Sequence, residues 1–341
     1  MSTNDFAILV APVSASAYLY KVRSLPFISG SFIEEKTRYQ ALTEVLRSGF
    51  SNKEIVCPSR HHHQFDNWHL DNETTMLLMP AWNPGEVGGI KVVNINPGYY
   101  NSGRPSIQGA YLLMDANKGD FLAVLDGAAL TAKRTAATSA LASTYLSRPE
   151  SSKLLMIGTG ILSREMILAH AAVRPIEEVM IWGRTTEKIQ SVQESIKKEA
   201  FRKVDHLSLE EGLAWADIIC CATSATQPLI LGKYLKPGQH LDLVGSFKPH
   251  AREADDDVIR RSRIFLDEMA TGLVESGDIV IPLKTGILKK EEIVGDLFQL
   301  CRSEITGRKN DQEISLFKSV GHAVEDLVAA KHYLDLYHAN L

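Results

Sequence analysis

Apolar positions along the chain change their spacing near residue 126. Before it, residues 35–48 place Tyr39, Leu42 and Leu46 at helical intervals, with Gly49 just beyond as a stop, which predicts one helix. The rest of that part reads as short strands. The run Met76-Leu77-Leu78-Met79 ends at Pro80, residues 90–95 carry Lys91 among apolar neighbours, and residues 110–114 precede a turn over 115–119. Strands this closely spaced predict a mixed or antiparallel sheet.

After Asp126-Gly127 the pattern alternates between strand and helix. Residues 128–145 are Ala-rich without Gly or Pro, a helix by propensity. Residues 153–157 form an apolar strand ending at Gly158-Thr159-Gly160, and a helix follows to about residue 172. A second strand, 178–182, ends at Gly183-Arg184 and is followed by a helix over 187–198. Residues 218–221, 241–244 and 264–266 are further apolar runs. Continuous apolar runs are strands buried on both faces, so this part is a parallel sheet covered by helices. Residues 319–341 form an amphipathic helix with Val320, Val324, Leu327 and Val328 on one face, expected to return to the first part. The expected fold class is α/β: a Rossmann-like parallel-sheet domain, 127–317, inserted into an α+β domain made of 1–126 and 318–341.

Composition sharpens this by exclusion. The 341 residues carry 37 Lys and Arg against 41 Asp and Glu, a net charge of −4, with 45% hydrophobic and 23% charged residues. That is the balance of an ordinary globular chain, not of a disordered, collagen-like or coiled-coil one. An acidic balance also argues against nucleic acid as a partner. Cys57, Cys220, Cys221 and Cys301 include no C-x-x-C pair, so reduced thiols and a cytoplasmic setting are expected, with no metal. Residues 6–20 are uncharged, and Ala15-Ser16-Ala17 resembles a cleavage site. The preceding residues supply Asp5 and no Lys or Arg, so no signal peptide is expected. Pro12 interrupts the stretch, which is too short to span a bilayer, and no membrane partner is expected.

Five local features carry candidate chemistry. Gly158-Thr159-Gly160 sits between strand and helix, where glycines and a helix N-terminus bind a dinucleotide pyrophosphate. Ser163 replaces the third glycine of the usual fingerprint, and an ordinary turn is the alternative. The second strand ends in Gly183-Arg184-Thr185 rather than in a carboxylate; Arg184 and Thr185 suit a 2′-phosphate and favour NADPH over NADH, against a solvated arginine as the alternative. Thr131, Arg134, Thr135 and Thr138 make one polar stripe on the Ala-rich helix, with Arg134 either a carboxylate clamp or a salt-bridge residue. Finally, Arg60-His61-His62-His63 reads as a polar strand in which only His61 and His63 share a side, and Lys91 as either an edge-strand lysine or a site lysine.

Taken with these residues, Met79-Pro80-Ala81-Trp82, the block from Leu122 to Ser139, Val244-Gly245-Ser246, Phe317-Lys318-Ser319-Val320-Gly321 and Glu325-Asp326-Leu327 make the chain resemble the ornithine cyclodeaminase/mu-crystallin family. The resemblance covers nearly the whole chain. It implies a Rossmann domain inserted into a substrate-binding and dimerising domain, hence a homodimer. It implies that Arg60 and Arg134 hold the substrate carboxylate, that Lys91 lies beside the carboxylate and the reacting nitrogen, and that Ser106 lies near cofactor and substrate. Gly158, Thr159, Gly160, Ile161 and Leu162 match the phosphate loop, with Leu162 where the family commonly has Gln. Ala222, Thr223, Ser224 and Ser246 match the nicotinamide side, and Arg134, Thr135 and Gly321 are expected against the cofactor as well.

Two departures separate this chain from cyclodeaminases. Those enzymes use an Asp where Phe247 stands, and a Glu just before the Met-Pro pair where Leu77 and Leu78 stand. Closing a ring with loss of ammonia needs such carboxylates to hold amino groups and move protons. The resemblance without them implies NADPH-dependent reduction of cyclic ketimines, Δ1-pyrroline-2-carboxylate and Δ1-piperideine-2-carboxylate, to L-proline and L-pipecolate. A cyclodeaminase, an alanine-dehydrogenase-like enzyme and a non-catalytic binding protein are the alternatives.

Overall fold

The structure, a computed structural model, describes residues 25–69, 72–96, 98–99, 105–246 and 248–341. The uncharged stretch at 6–20 and Phe247 therefore lie outside the described residues. Strands β1 (Phe27–Ile28), β2 (His61–Asn67), β3 (Asn72–Trp82), β4 (Val87–Ile95), β5 (Ile107–Asp115) and β6 (Phe121–Asp126) form one sheet in the order β1-β6-β5-β4-β3-β2. The β1–β6 pair is parallel and the others antiparallel, the mixed sheet that the short strand spacing predicts. The second sheet comprises β7 (Lys153–Ile157), β8 (Glu178–Trp182), β9 (Arg202–Val204), β10 (Ile218–Cys221), β11 (His240–Leu243), β12 (Ser262–Leu266), β13 (Ile293–Asp296) and β14 (Ile314–Lys318). Its order is β13-β12-β14-β11-β10-β7-β8-β9, all parallel. The order reverses between β7 and β10, the place where open parallel sheets leave a crevice for ligands.

The helices are α1 (Gly30–Lys36), α2 (Tyr39–Ser51), α3 (Gly127–Leu146), α4 (Ile161–Ala171), α5 (Thr186–Ser195), α6 (Leu209–Trp215), α7 (Asp256–Arg261), α8 (Met269–Glu275), α9 (Gly277–Thr285), α10 (Leu297–Cys301) and α11 (Ala323–His338). Helix α3 joins the two sheets and is buried along most of its length, touching α2, α4, α11, β5 and β11. Its alanines make this possible, because small side chains let neighbours approach on every side. Asp126 caps its start, accepting from the Ala128 and Ala129 N–H groups at 3.0 and 2.9 Å. The charge the helix buries on its far side, Lys133, is neutralised by Glu165 at 2.6 Å and by Glu34.

The structure departs from the sequence pattern at three places, each with a local cause. The helix expected over 35–48 is two helices, broken at Thr37 and Arg38, which are both extended. Thr37 donates its hydroxyl to the Ile33 carbonyl at 2.6 Å and meets the Tyr333 hydroxyl at 2.7 Å, which fixes the break. Strand β3 runs through Pro80 to Trp82 instead of ending there. Pairing with β2 stops at Leu78, so the missing Pro80 N–H falls where no β2 partner stands. The last helix begins at Ala323, not 319, because Asp267 takes the Val320 and Gly321 N–H groups at 2.7 and 2.6 Å and holds that segment as a loop.

Candidate active site

The C-terminal ends of β7, β10, β11 and β14 open into a cavity of about 340 Å³ whose far wall is the mixed sheet. Loop residues Gly160, Ala222, Thr223, Ser224, Gly245 and Gly321 line one side. A second cavity of about 500 Å³, lined by Gly158, Thr159, Arg184 and Lys188, shares Gly160 and Ala222 to Ser224 with the first, so the two form one groove across the sheet.

The bend of this groove has the form a dinucleotide requires. Gly158 holds φ at +122°, and a Cβ there would stand 2.6 Å from the Ala222 carbonyl oxygen. Gly160 begins α4 with no side-chain cap, and a Cβ on it would meet nothing within 4 Å. The Ser163 N–H returns to the Gly160 carbonyl at 3.1 Å, while the Ile161 and Leu162 N–H groups that open this eleven-residue helix have no hydrogen bond among the described residues, which is how a helix terminus presents donors to phosphate.

Polar side chains enter the cavity from the opposite side. On β4, Lys91 stands across from Met79 and Tyr111 in the ladder, and the alternation of the strand turns it inward to 2% exposure. Its Nζ lies 2.9 and 2.8 Å from the two oxygens of Asp326 on α11. Arg134 projects from α3 to the same carboxylate, Nε to Asp326 at 2.9 Å, and donates Nη1 to Glu325 at 2.6 Å. Thr138, one turn on, also donates to Glu325 at 2.9 Å. Arg60, just before β2, lies 3.2 Å from Glu275 and donates to the Val320 and Gly321 carbonyls at 3.3 and 2.6 Å. Three cations thus meet three carboxylates around one cavity.

Burial sets the proton affinities here. It lowers Lys91, and the Arg134 charge lowers it further, to about 8, against the opposing pull of Asp326. Burial pushes the Asp326 carboxyl up, but Arg134 and Lys91 together hold it below the ordinary aspartate range. Glu275 moves the other way, raised by burial despite Arg60.

The structure brings Arg60, Lys91, Arg134 and Thr135 to the cavity with Gly160, Ile161, Leu162, Ala222, Thr223, Ser224 and Gly321, and places Gly158, Thr159 and Arg184 along its extension. Ser246 is turned away: it is buried and gives its hydroxyl to the Ala251 carbonyl. Ser106 sits just before β5, with its carbonyl on the Asn96 N–H at 2.8 Å, outside the cavity lining, and Thr185 is exposed ahead of α5, where its side chain makes no capping bond. Of the two leucines, Leu77 lines the cavity beside Met79, whereas Leu78 faces the other side of β3. His61 and His63 lie edge to face 6.3 Å apart on an exposed strand, and His62 approaches Glu275 at 3.8 Å.

Sequence reasoning did not assign Glu325, Asp326, Glu275 and Asp267 a role. An acidic pair flanked by Ala323-Val324 and Leu327-Val328 is a signal for two of them, since carboxylates on an apolar helix face need partners.

Comparison with known proteins agrees with the geometry. Residues 28–339 match the model of the ornithine cyclodeaminase/mu-crystallin family. An uncharacterized protein of Schizosaccharomyces pombe is 41% identical over 320 residues, covering 90% of this chain and 96% of its own. A Δ1-pyrroline-2-carboxylate reductase of Colwellia psychrerythraea is 34% identical over 308 residues, covering 90% and 97%. The solved structure of Thermococcus litoralis Δ1-pyrroline-2-carboxylate reductase, in complex with NADH and L-proline, is similar with a TM-score of 0.85 at 30% identity, over 92% of this chain and 98% of that one. Two sheets joined by a buried helix, a dinucleotide groove and a match from end to end of the described fold lead to one assignment: this chain belongs to the ornithine cyclodeaminase/mu-crystallin family.

Proposed function

We propose that the protein is an NADPH-dependent reductase of cyclic ketimines, acting on Δ1-pyrroline-2-carboxylate and its six-membered homologue to give L-proline and L-pipecolate. One observation carries the reading. Lys91 and Arg134 converge on a cavity whose β3–β4 side, Leu77, Met79, Val93 and Ile95, is apolar and which adjoins the phosphate loop. An α-carboxylate fits the cations, and a carbon ring fits the wall. Nothing on that wall would hold the distal amino group of a linear diamino acid.

The 158–162 loop would hold the cofactor's pyrophosphate and Ala222 to Ser224 would flank its nicotinamide, which would supply the hydride when bound. The chain supplies position and charge. Arg134 has Nε and Nη1 on Asp326 and Glu325, and Nη2, without a hydrogen bond among the described residues, is the donor left for the substrate carboxylate. Arg60 joins the clamp by exchanging Glu275 for the substrate. Lys91, close to neutrality yet still protonated at pH 7, holds a proton beside the imine nitrogen. Arg184 at the end of β8 receives the 2′-phosphate of NADPH. The protein assembles as a homodimer through the mixed sheet and works in the cytoplasm, where its four free cysteines stay reduced. The deciding experiment measures NADPH and NADH oxidation with the two cyclic imino acids, with pyruvate plus ammonia, and NAD-dependent ammonia release from ornithine. Turnover confined to the cyclic imino acids supports the reading. Ammonia release from ornithine overturns it.

A further inference from the structure

Glu253 lies between β11 and α7, is fully buried, and belongs to no part of the clamp described above. Its carboxylate nonetheless reaches two loops that form the cofactor side of the site. One oxygen accepts from the Thr223 N–H at 2.8 Å and the Thr223 hydroxyl at 2.9 Å. The other accepts from the Gly245 N–H at 2.8 Å and the Ser246 N–H at 3.2 Å. Thr223 follows β10 and Gly245 follows β11, so one side chain ties together the ends of two adjacent strands at the crevice. The fit is close: a Cβ on Gly245 would stand 2.2 Å from the Thr223 backbone and 2.4 Å from Glu253 itself. Lys318, fully buried at the end of β14, stands 3.9 Å from Glu253 and 3.4 Å from Asp278 and offsets their charge. Asp278 in turn accepts from the Glu253 and Ala254 N–H groups at 2.7 and 3.1 Å, so the segment carrying the carboxylate is itself anchored.

A buried carboxylate is costly unless every lone pair is used. Here the donors are backbone groups of the loops that line the groove. We propose that Glu253 is a positioning residue for the cofactor: it clips the 222–224 and 244–246 loops into one rigid wall, against which the nicotinamide half of the dinucleotide is held. This rests on the reading of the groove as a nicotinamide site. Glutamine keeps the shape but offers one acceptor oxygen, so an amide N–H must face one loop's N–H and that loop is released. Aspartate keeps the charge but is one methylene too short to reach both loops.

The test measures dissociation constants of NADPH and NADH by protein fluorescence, without imino acid, for the parent, Glu253→Asp and Glu253→Gln. Glu253→Gln leaves Lys318 facing Asp278 at 3.4 Å, one buried charge of each sign, which protects folding. Both variants are expected to weaken the nucleotide by about tenfold or more, as the loss of a charge-assisted hydrogen bond implies. The KM for Δ1-pyrroline-2-carboxylate, set by Lys91 and Arg134, is expected to stay within about threefold at saturating nucleotide, because those groups lie on other elements. Nucleotide affinity within twofold of the parent overturns the proposal. So does a parallel loss of nucleotide affinity, imino-acid KM and melting temperature, the mark of a purely structural role. A parent that binds nucleotide but reduces no imine defeats the functional reading alone, since the binding comparison still decides the role of Glu253.

Discussion

Arg134 serves the fold and the site with one guanidinium. Two of its nitrogens neutralise Glu325 and Asp326 in the interior, and the third has no hydrogen bond among the described residues and is the one proposed to take the substrate carboxylate. Arg134→Lys keeps one charge but loses the fork, so kcat/KM for the cyclic imine should fall by about a hundredfold or more. Stability should fall as well, by about 1.5–3 kcal/mol, because one buried carboxylate loses its partner. Activity and urea unfolding of the same variant check both halves, and near-normal turnover would remove Arg134 from the clamp. From the stripe of polar residues alone, clamp and salt bridge are alternatives; the structure shows the salt bridges, to Glu325 and Asp326 from the far end of the chain, and leaves one nitrogen for the proposed clamp. Lys91 predicts a pH dependence. With its folded value near 8, kcat/KM should fall as pH rises through about 8, and Lys91→Met should abolish that limb. Stability moves oppositely. Between about 8 and the ordinary lysine value of 10.5, the unfolded chain holds a proton that the folded one has released, so the Lys91 contribution to stability rises with pH across that window and is missing in Lys91→Met.

Elements were legible where a single pattern governed them. The strand Glu178–Trp182 and the Ala-rich helix emerge from the sequence almost to the residue, since burial on both faces and high helix propensity leave little choice. Elements that end for tertiary reasons were not. The 319–322 segment has helical spacing, yet Asp267 from the end of β12 holds it open, and the Arg60 seat on the Val320 and Gly321 carbonyls exists only because it is a loop. The junction of β8 and α5 carries the cofactor prediction. Arg184 is exposed at the rim of the groove, so Arg184→Ala should weaken NADPH by about tenfold, with solvent limiting the effect, and should leave NADH almost unchanged. Titration with both nucleotides decides this, and equal losses would remove the preference for NADPH.

At the scale of the molecule, the site is a seam: cations stand on the mixed sheet and its packed helices, the glycine loop and the start of α4 on the parallel sheet, and α3 joins the two. Strand β2 forms one edge of the mixed sheet and is exposed along nearly its whole length, an open row of backbone donors and acceptors. Sedimentation should therefore give twice the chain mass, and a proline placed in β2 where the N–H faces away from β3 should shift it toward the monomer. The alternation of strands and helices made the two-part architecture readable from sequence, whereas the carboxylates that face the three cations were not, because α8 and α11 bring them from far along the chain. The central claim is that these cations and the apolar wall beside Leu77 select a cyclic imino acid. Its most direct test is steady-state oxidation of NADPH with Δ1-pyrroline-2-carboxylate, with L-proline quantified as product and ornithine plus NAD run in parallel. The account predicts stoichiometric L-proline and no ammonia from ornithine; ammonia release from ornithine, or no L-proline from the imine, would contradict it.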